Sequence, residues 1–248
     1  MAFRARAKIK SYFWPDLFAR ALRILFILFI NCLTHFSYAE EQKGGKEQGR
    51  IFNEISILSD YIRQGLTQTN HDPAFQTGVG YEFHPQLRVG IWGSNASYEN
   101  ENTHLNFKTY FSYRLLFTQN STLLVRYDLS NYYKATSRNG PVLSLDLILF
   151  SFHILYSKDD NWEGTDTEGS WVGVKKEFDF SAETALSVIV GYSQLDLATI
   201  DNYADAEIAY IYKLNPVKIS AHLTGTSNSS QFHGRGDFSM SAQISTQF

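Results

Sequence analysis

The sequence predicts an all-β fold, a transmembrane antiparallel up-and-down β-barrel of about twelve strands, with ten strands as the alternative. Three observations support this prediction. Apolar and polar residues alternate with a period of two over long segments after Arg50, which is the pattern of strands with two different faces. Aromatic residues close several of these segments on the apolar face. Short connections alternate with longer ones, as in outer-membrane barrels.

The first 39 residues have the layout of a cleaved signal peptide. Six basic residues precede an apolar run from Ile24 to Phe36, and Ser37-Tyr38-Ala39 supplies small residues before the cut. The alternative is an uncleaved transmembrane anchor, which is disfavoured because Asn31 and its polar neighbours shorten the apolar stretch. Cleavage would also remove Cys32, the only cysteine. The mature chain would then have neither a disulfide nor a thiol nucleophile.

The chain is predicted to have three parts: a signal peptide at 1–39, a disordered periplasmic tail at 40–50 and an outer-membrane barrel at 51–248. The tail, EEQKGGKEQGR, is polar and contains three glycines. The leader holds six of the 22 basic residues and one of the 25 acidic residues, so the mature chain is more acidic than the whole chain, whose net charge is −3. Phosphate contacts require clustered Lys and Arg, so a nucleic-acid partner is excluded.

The alternation is clearest in the C-terminal segment, and it recurs at 75–83, 104–114, 123–130, 204–212 and 217–224. In the last segment serine and glutamine side chains occupy one face. The other face is mostly apolar and consists of Phe238, Met240, Ala242, Ile244, Thr246 and Phe248. Strands of ten to twelve residues suit a tilted membrane crossing, whereas globular strands are commonly about half as long.

Aromatic residues also close successive segments next to the short turns, as an interfacial girdle requires. The predicted girdle consists of Phe83, Tyr113, Phe178, Tyr212 and Phe248. It predicts outer-membrane lipid and lipopolysaccharide as partners. The C-terminal strand ending in Phe248 is the predicted contact with the barrel-assembly machinery.

The strand count depends on the segment 142–157. Leu143, Leu145, Leu147 and Leu149 share one parity, whereas Phe152, Ile154 and Tyr156 share the other. A tight turn near Phe150-Ser151 explains this change, because a one-residue slip exchanges the two faces of a strand. That turn gives an even count of about twelve. A bulge within one long strand is the alternative.

Two motifs near the start of the barrel resemble a known family. The segment SDYIRQGLTQTNHDPAFQ at 59–76 and the segment GIWGSN at 90–95 resemble the patterns SDYxxRGxSQTxxxPAxQ and GxWxSN of the TorF family. This is an uncharacterised Gram-negative outer-membrane family described as porins. The resemblance runs over the whole mature chain, although its specific motifs lie in the first three strands, and it implies a porin-like barrel. Gln64 stands where that family has an arginine, and parity with Ile55 and Ile57 predicts that Arg63 points outward.

The family-motif loop contributes Gly65, Thr69, Asn70 and Pro73. Gly65 permits an unusual backbone angle where the first strand ends, and Asn70 and Pro73 favour turns. Two interpretations stay open. The loop is shaped for folding alone, or it contacts a ligand or constricts a pore.

The inward faces carry many charges for a β protein. Opposed basic and acidic rows would create a transverse field that tunes the passage of ions and polar solutes. We therefore expect a passive channel for small hydrophilic solutes. The alternative is a packed, non-conducting barrel with a structural or surface-contact role. The predicted lumen-lining charges are Glu82, Arg88, Lys108, Arg114, Arg126, Asp128, Asp205, Glu207 and Asp237.

An enzyme is disfavoured by the sequence. Ser144, Asp146 and His153 could form a hydrolase set, but nothing in their spacing enforces convergence, and no Gly-x-Ser-x-Gly elbow is present. Histidines at metal-ligand spacing and nucleotide motifs are also missing from the sequence. We predict no catalytic residues, no metal and no cofactor. The acidic stretch 158–168 is predicted to be a solvated external loop, bridged to lipopolysaccharide by divalent ions.

Overall fold

The computed structural model describes residues 49–98, 101 and 103–248. The predicted signal peptide and nearly all of the predicted tail lie outside these residues. The first strand begins at Arg50, one residue before the predicted start of the barrel. Within the described range no helix is long and apolar enough to cross a membrane.

Twelve antiparallel strands close into a barrel in which each strand pairs with its neighbours in sequence, and β1 pairs with β14. A separate two-stranded hairpin, formed by β2 (Ile62–Arg63) and β3 (Leu66–Thr67), is not part of the wall. The barrel strands are β1 (Arg50–Leu58), β4 (Ala74–His84), β5 (Leu87–Asn95), β6 (Leu105–Thr118), β7 (Ser121–Tyr132), β8 (Gly140–Leu149), β9 (Phe152–Asp159), β10 (Gly169–Asp179), β11 (Thr184–Leu195), β12 (Tyr203–Leu214), β13 (Val217–Thr226) and β14 (Ser239–Gln247).

The predicted twelve-strand barrel is therefore confirmed, including the turn that decided the count. β8 ends at Leu149 and β9 begins at Phe152. Phe150 adopts a positive φ of 57° in this turn. The turn has two residues, so Leu149 pairs with Phe152 and the outward positions change from odd to even numbers. The bulge alternative is wrong because Leu149 pairs directly with Phe152 across the turn.

The two ends of the barrel differ. The "turn end" holds the start of β1, the end of β14 and the five short turns between successive strands. The "loop end" holds the longer connections, at 59–73, 96–104, 133–139, 160–168, 196–202 and 227–238. Three of these connections contain short 3-10 turns, at Thr136–Arg138, Trp162–Gly164 and Ser229–Phe232.

The wall has an apolar outer face and a polar inner face. Along β4, Phe75, Val79 and Phe83 are exposed, whereas Gln76 and Glu82 between them are buried. This alternation follows from the pleat, since successive side chains of a strand point to opposite faces. Exposed apolar residues on other strands include Ile91, Phe107, Phe111, Leu129, Ile154, Val172, Val174, Val190, Ile208, Tyr210, Leu223, Met240 and Ile244.

The seam between β1 and β14 is shorter than the seam between β1 and β4. The β1–β14 register runs from Glu54 opposite Gln247 to Leu58 opposite Gln243. Beyond this register, backbone hydrogen bonds join Asn53 to Phe248 at 2.7 and 3.0 Å and Ser59 to Ala242 at 2.9 Å. β1 leaves the wall there, because the chain turns inward to form the hairpin of β2 and β3.

Candidate functional site

The connection between β1 and β4 folds into the loop-end opening of the barrel. We call residues Asp60–Asn70 the mouth hairpin. Its reversal lies at Gln64 and Gly65, which have positive φ angles of 52° and 77°. Side chains from Leu66 to Thr69 are almost completely buried, so this segment is packed inside the opening. A solvent-exposed turn would not be buried in this way.

Asp60 organises the hairpin from within. Its buried carboxylate accepts hydrogen bonds from the Thr67 hydroxyl and from the Thr69 hydroxyl, the latter at 3.1 Å, and it pairs with His71 Nδ1 at 2.9 Å. Asn70 and His71 both have positive φ, which reverses the chain toward β4. These short polar contacts satisfy groups that burial would otherwise leave without partners.

The hairpin is attached to the inner wall on the opposite side of the barrel. The Arg63 guanidinium pairs with Asp159 at 3.3 Å, and Gln64 Nε2 donates to Ser157 Oγ at 2.6 Å. The Tyr203 hydroxyl donates to the Gln64 carbonyl oxygen at 3.2 Å. The predicted outward direction of Arg63 is therefore wrong. Strand parity holds only along a continuous strand, and β1 ends at Leu58.

Gly65 fits the wall because it has no side chain. A Cβ at this position would lie 2.5 Å from Thr226 Cγ2 and 2.8 Å from Asp205 Cβ. The positive φ adds strain for any other residue. The glycine of the motif therefore allows both the reversal and the close approach of the hairpin to the wall.

Glu163, in the connection between β9 and β10, is the charged centre of the mouth. Its carboxylate pairs with Arg235 at 2.6 Å and with Arg138 at 3.1 Å, and it accepts from Gln68 Nε2 of the hairpin at 3.3 Å. Burial alone would raise the pKa of this carboxyl, but the guanidinium groups of Arg235 and Arg138 outweigh burial and lower it to about 2. Glu163 thus joins the hairpin to two other loops.

Aromatic and aliphatic side chains fill the rest of the mouth. The Arg138 guanidinium stacks over the Tyr98 ring at 3.5 Å, and the Tyr98 hydroxyl donates to Gln68 Oε1 at 2.7 Å. A buried apolar cluster brings together residues from the hairpin, two other connections and two strand ends. Its members are Leu66, Trp162, Leu195, Tyr203 and Phe232.

The acidic stretch 158–168 therefore differs in part from its prediction. Trp162 and the Glu163 carboxylate point into the mouth and are buried, whereas Glu168 is exposed and pairs with Lys158 at 3.0 Å. The sequence contained one signal for this, the tryptophan inside an otherwise polar loop. Glu163 itself was missed, because a glutamate among other acidic residues carries no distinguishing pattern.

The motif residues lie together at this opening. Thr69 is fully buried in the hairpin, Asn70 has a φ of 52°, and the Pro73 carbonyl oxygen accepts from Asn95 Nδ2 at 2.9 Å. Asn95 belongs to the second motif, GIWGSN. The same side chain accepts from the Phe75 amide at 2.7 Å. The two sequence motifs thus meet in space.

The predicted basic residues line the inner wall of β5, β6 and β7, and two of the four are paired locally. Arg88 pairs with Glu82 at 2.5 Å, and Glu82 also accepts from Arg50 at 3.1 Å. Arg126 pairs with Asp128 at 2.7 Å. The basic row is thus partly neutralised by carboxylates of its own wall.

Two cations of this row also lie against aromatic rings. The Arg126 guanidinium lies 3.9 Å from the centre of the Tyr110 ring, and the Lys108 ammonium lies 5.1 Å from that of Trp92. Such contacts fix a cation over the ring face. Large side chains therefore occupy part of the lumen near β5 and β6.

A solvent-open recess of about 530 Å³ lies inside the barrel toward the turn end. Arg88, Arg114 and Arg126 line it together with Glu54, Phe52 and Tyr110. This recess lies near the turn end, whereas packed apolar side chains fill part of the loop-end opening.

The predicted acidic row is only partly present. β12 lies opposite β6 in the strand order. On its inner face Asp205 accepts from Trp171 Nε1 at 2.7 Å, and Glu207 pairs with His222 Nδ1 at 3.2 Å. Asp237 is exposed in the connection before β14, so its placement in the lumen is wrong. The alternation of β14 starts at Ser239 and does not extend back to this residue.

Four of the predicted girdle residues, Phe83, Phe178, Tyr212 and Phe248, are exposed next to turns or to the C-terminus. Tyr113 is the exception, since only 9% of its surface is exposed. Its register partners on the neighbouring strands are Leu87 and Val125.

The hydrolase set that the sequence suggested is incomplete. His153 Nδ1 pairs with Asp146 at 3.0 Å, but Ser144 takes part in none of the side-chain hydrogen bonds found among the described residues. No group of three or more histidine, cysteine or carboxylate side chains in the described part of the chain could hold a metal ion.

Comparisons with known proteins agree with this architecture. A family model described as a bacterial protein of unknown function (Gcw_chp) matches residues 43–246. No curated protein matches the sequence.

Among solved structures, the KdgM porin is 9% identical over 80% of this chain and 97% of its own, with a TM-score of 0.51. The KdgM porin in complex with disordered oligogalacturonate gives the same four values. The NanC porin in a rhombohedral crystal form is 8% identical over 80% of this chain and 99% of its own, with a TM-score of 0.48. The similarity to KdgM shows a shared barrel fold.

Proposed function

The chain belongs to the bacterial family of unknown function Gcw_chp, and we propose that it is an outer-membrane passive channel for small hydrophilic solutes. One observation carries the proposal: the barrel wall is apolar outside and charged inside. An exposed apolar surface of this extent would be a liability in water but suits contact with lipid. A charged inner face suits a hydrated path for ions and polar solutes.

The asymmetry of the ends supports an orientation. Outer-membrane barrels have short periplasmic turns and longer external loops, so we place the turn end in the periplasm and the mouth hairpin at the cell surface. The predicted signal peptide fits this location. Lipid, lipopolysaccharide and the barrel-assembly machinery, the last through Phe248, are the proposed partners. The resemblance to the TorF family stays a prediction.

The mouth hairpin sets the conductance in this proposal. It lies across the external opening, and its contacts with Glu163 and Asp159 are polar and reversible. Polar solutes entering from outside would have to pass the hairpin or displace it. We therefore propose a narrow channel whose open state requires movement of residues 60–70.

A second candidate is a non-conducting barrel with a structural or surface-contact role. The observation that favours it is the apolar cluster around Leu66 and Trp162, which fills the mouth in the way that a protein core is filled. A cluster of this kind would resist displacement more strongly than ion pairs alone.

Single-channel recording in a planar bilayer separates the two candidates. The experiment compares the wild type with Glu163→Gln, which removes the charge that joins the hairpin to two loops. Stepwise currents in either protein support a channel, and more frequent openings in the variant support its control by the hairpin. Folding of both proteins is first verified by their heat-modifiable gel mobility. If neither folded protein then gives single-channel currents, the channel is refuted and the second candidate is supported. Salts of increasing ion size then measure the width of the path.

A further inference from the structure

A second polar cluster lies on the inner wall of β12 and β13, away from the mouth network of Glu163. Ser220 and His222 are on β13 and Glu207 is on β12. The Ser220 Oγ lies 2.8 Å from His222 Nε2, and His222 Nδ1 lies 3.2 Å from Glu207 Oε1. We propose that Ser220 is an activated nucleophile and that this cluster hydrolyses small carboxylic esters inside the barrel. The proposal goes beyond conduction and does not depend on it.

Strand geometry brings the three side chains together. Ser220 and His222 are two residues apart on one strand, so both point to the inner face. Glu207 pairs with Thr224 in the register, which makes it the diagonal neighbour of His222. Diagonal neighbours on one face are within reach of long side chains. The arrangement therefore follows from the register of two regular strands.

The two ring nitrogens of His222 have distinct roles in this geometry. When Nδ1 carries the proton and donates to Glu207, Nε2 is left as an acceptor for the Ser220 hydroxyl. A nucleophile, a base in hydrogen-bond contact and a group that orients the base are the parts of an activated serine. Glu207 acts through His222 and is a positioning residue.

The reaction is balanced within these groups and water. The Ser220 oxygen forms a bond to the ester carbonyl carbon while its proton moves to His222 Nε2. The bond to the alcohol oxygen then breaks, and the proton leaves with the alcohol. Water attacks the acyl group on Ser220, with His222 again taking a proton and returning it to the serine. The products are the alcohol and the carboxylic acid.

Gln243 is placed to stabilise the negative oxygen that forms on the way. It is the register partner of Ser220 on β14, and its Nε2 makes only a long hydrogen bond, of 3.4 Å, to Ser56 Oγ. A side-chain amide donor can serve as part of an oxyanion hole. Lys218 lies two residues nearer the turn end on the same strand and adds positive charge to this wall.

The position of the cluster limits what it can bind. Ser220 is three residues from the start of β13, so it lies about 10 Å from the turn end. Only 4% of its surface is exposed. A substrate would have to enter from the turn end and present a small acyl group. The structure thus favours short-chain esters of polar alcohols over lipids.

The test uses the folded full-length barrel in detergent and a small fluorophosphonate as the probe. In the expected reaction Ser220 displaces fluoride from phosphorus, the proton passes to His222, and a stable phosphonate ester remains. Peptide mass spectrometry then locates the label. We expect label on Ser220 above that on Ser144, which lies near the pair of Asp146 and His153 without contacting it, and loss of the Ser220 label in S220A. The comparison of Ser220 with Ser144 is made in the wild-type protein, so it does not depend on whether a variant folds.

Three further variants test the base and its orientation. His222→Gln should slow labelling by about 100-fold or more, the usual contribution of a general base. Glu207→Gln should lower the rate and change its pH profile, and Glu207→Asp should restore part of it. A merely structural Glu207 would leave the pH profile of the labelling rate unchanged.

Three outcomes would overturn the proposal. These are no label on Ser220 in the folded wild type, equal labelling of Ser220 and Ser144, and labelling of Ser220 that is independent of His222. Because labelling is measured without a membrane potential or a current, its failure leaves the channel proposal untouched, and silence in the bilayer leaves the labelling result untouched.

Discussion

Replacing Glu163 by glutamine should weaken the closure of the mouth by about 3 kcal/mol. The pKa of this carboxyl falls from its ordinary value of 4.5 to about 2 in the folded protein, and each unit of pKa corresponds to about 1.4 kcal/mol. Glutamine resembles the protonated acid in size and removes the charge. Arg138 keeps Glu101 as a partner at 2.7 Å, whereas Arg235 keeps the Thr67 carbonyl oxygen at 3.1 Å.

A change of this size raises the open population of the mouth by about 100-fold. Two measurements check it. Channel openings of Glu163→Gln in a planar bilayer should be far more frequent than those of the wild type, and amide hydrogens of residues 60–70 should exchange faster. The matched control is Glu168→Gln, which makes the same charge change on an exposed side chain of the same loop. Surface ion pairs contribute at most about 1 kcal/mol, so the control should behave as the wild type does.

Acid should have the same effect on the wild type. Because the pKa of Glu163 is lowered by folding, its contribution is complete above about pH 4.5 and is lost as the pH falls toward about 2. Openings should therefore increase over this window in the wild type and much less in Glu163→Gln. Identical opening rates in wild type, Glu163→Gln and Glu168→Gln at neutral pH would refute the assignment of Glu163 as the centre of the closure.

Three other predictions concern the hairpin, the lumen and the C-terminus. Gly65→Ala should displace the hairpin and lower stability by about 1–3 kcal/mol in thermal unfolding, whereas Gly93→Ala, whose Cβ would have no neighbour closer than 3.8 Å, should not. Changing Lys108 and Arg126 together to Glu should shift the reversal potential in a salt gradient toward cation selectivity. An unchanged reversal potential would contradict a role of these two residues in ion selectivity. Phe248→Ala should lower the amount of assembled barrel in outer-membrane fractions, because it removes the exposed ring through which we propose that the C-terminal strand contacts the barrel-assembly machinery, and wild-type levels would contradict this.

The barrel was predictable because its strands are long and obey one rule. Each strand has one apolar and one polar face, so parity identifies the inward and outward residues wherever pairing is regular. The phase change at Phe150 could be read in this way, since it is a local break in the same rule. The inward placement of Lys108 and Arg126 followed from the same parity.

The mouth could not be predicted because it depends on contacts between distant loops. Arg63 was assigned outward by extending the parity of β1, but the chain leaves the wall at Ser59, and no residue pattern marks that departure. The prediction that Asp237 lies in the lumen is wrong for the same reason, because β14 begins only at Ser239. The cluster of Ser220, His222 and Glu207 depends on side-chain directions across two strands, which alternation does not specify beyond the choice of face.

One consequence follows from the short seam between β1 and β14. Between Ser239 and Ala242, the backbone edge of β14 faces the position that β1 would occupy if it continued straight. The residues that could occupy this position, from Asp60 onward, are folded into the opening instead. The same stretch of chain cannot do both. The residues from Asp60 onward can either obstruct the pore or extend β1 along β14. If they leave the opening, the unpaired backbone edge of β14 is available to pair with them.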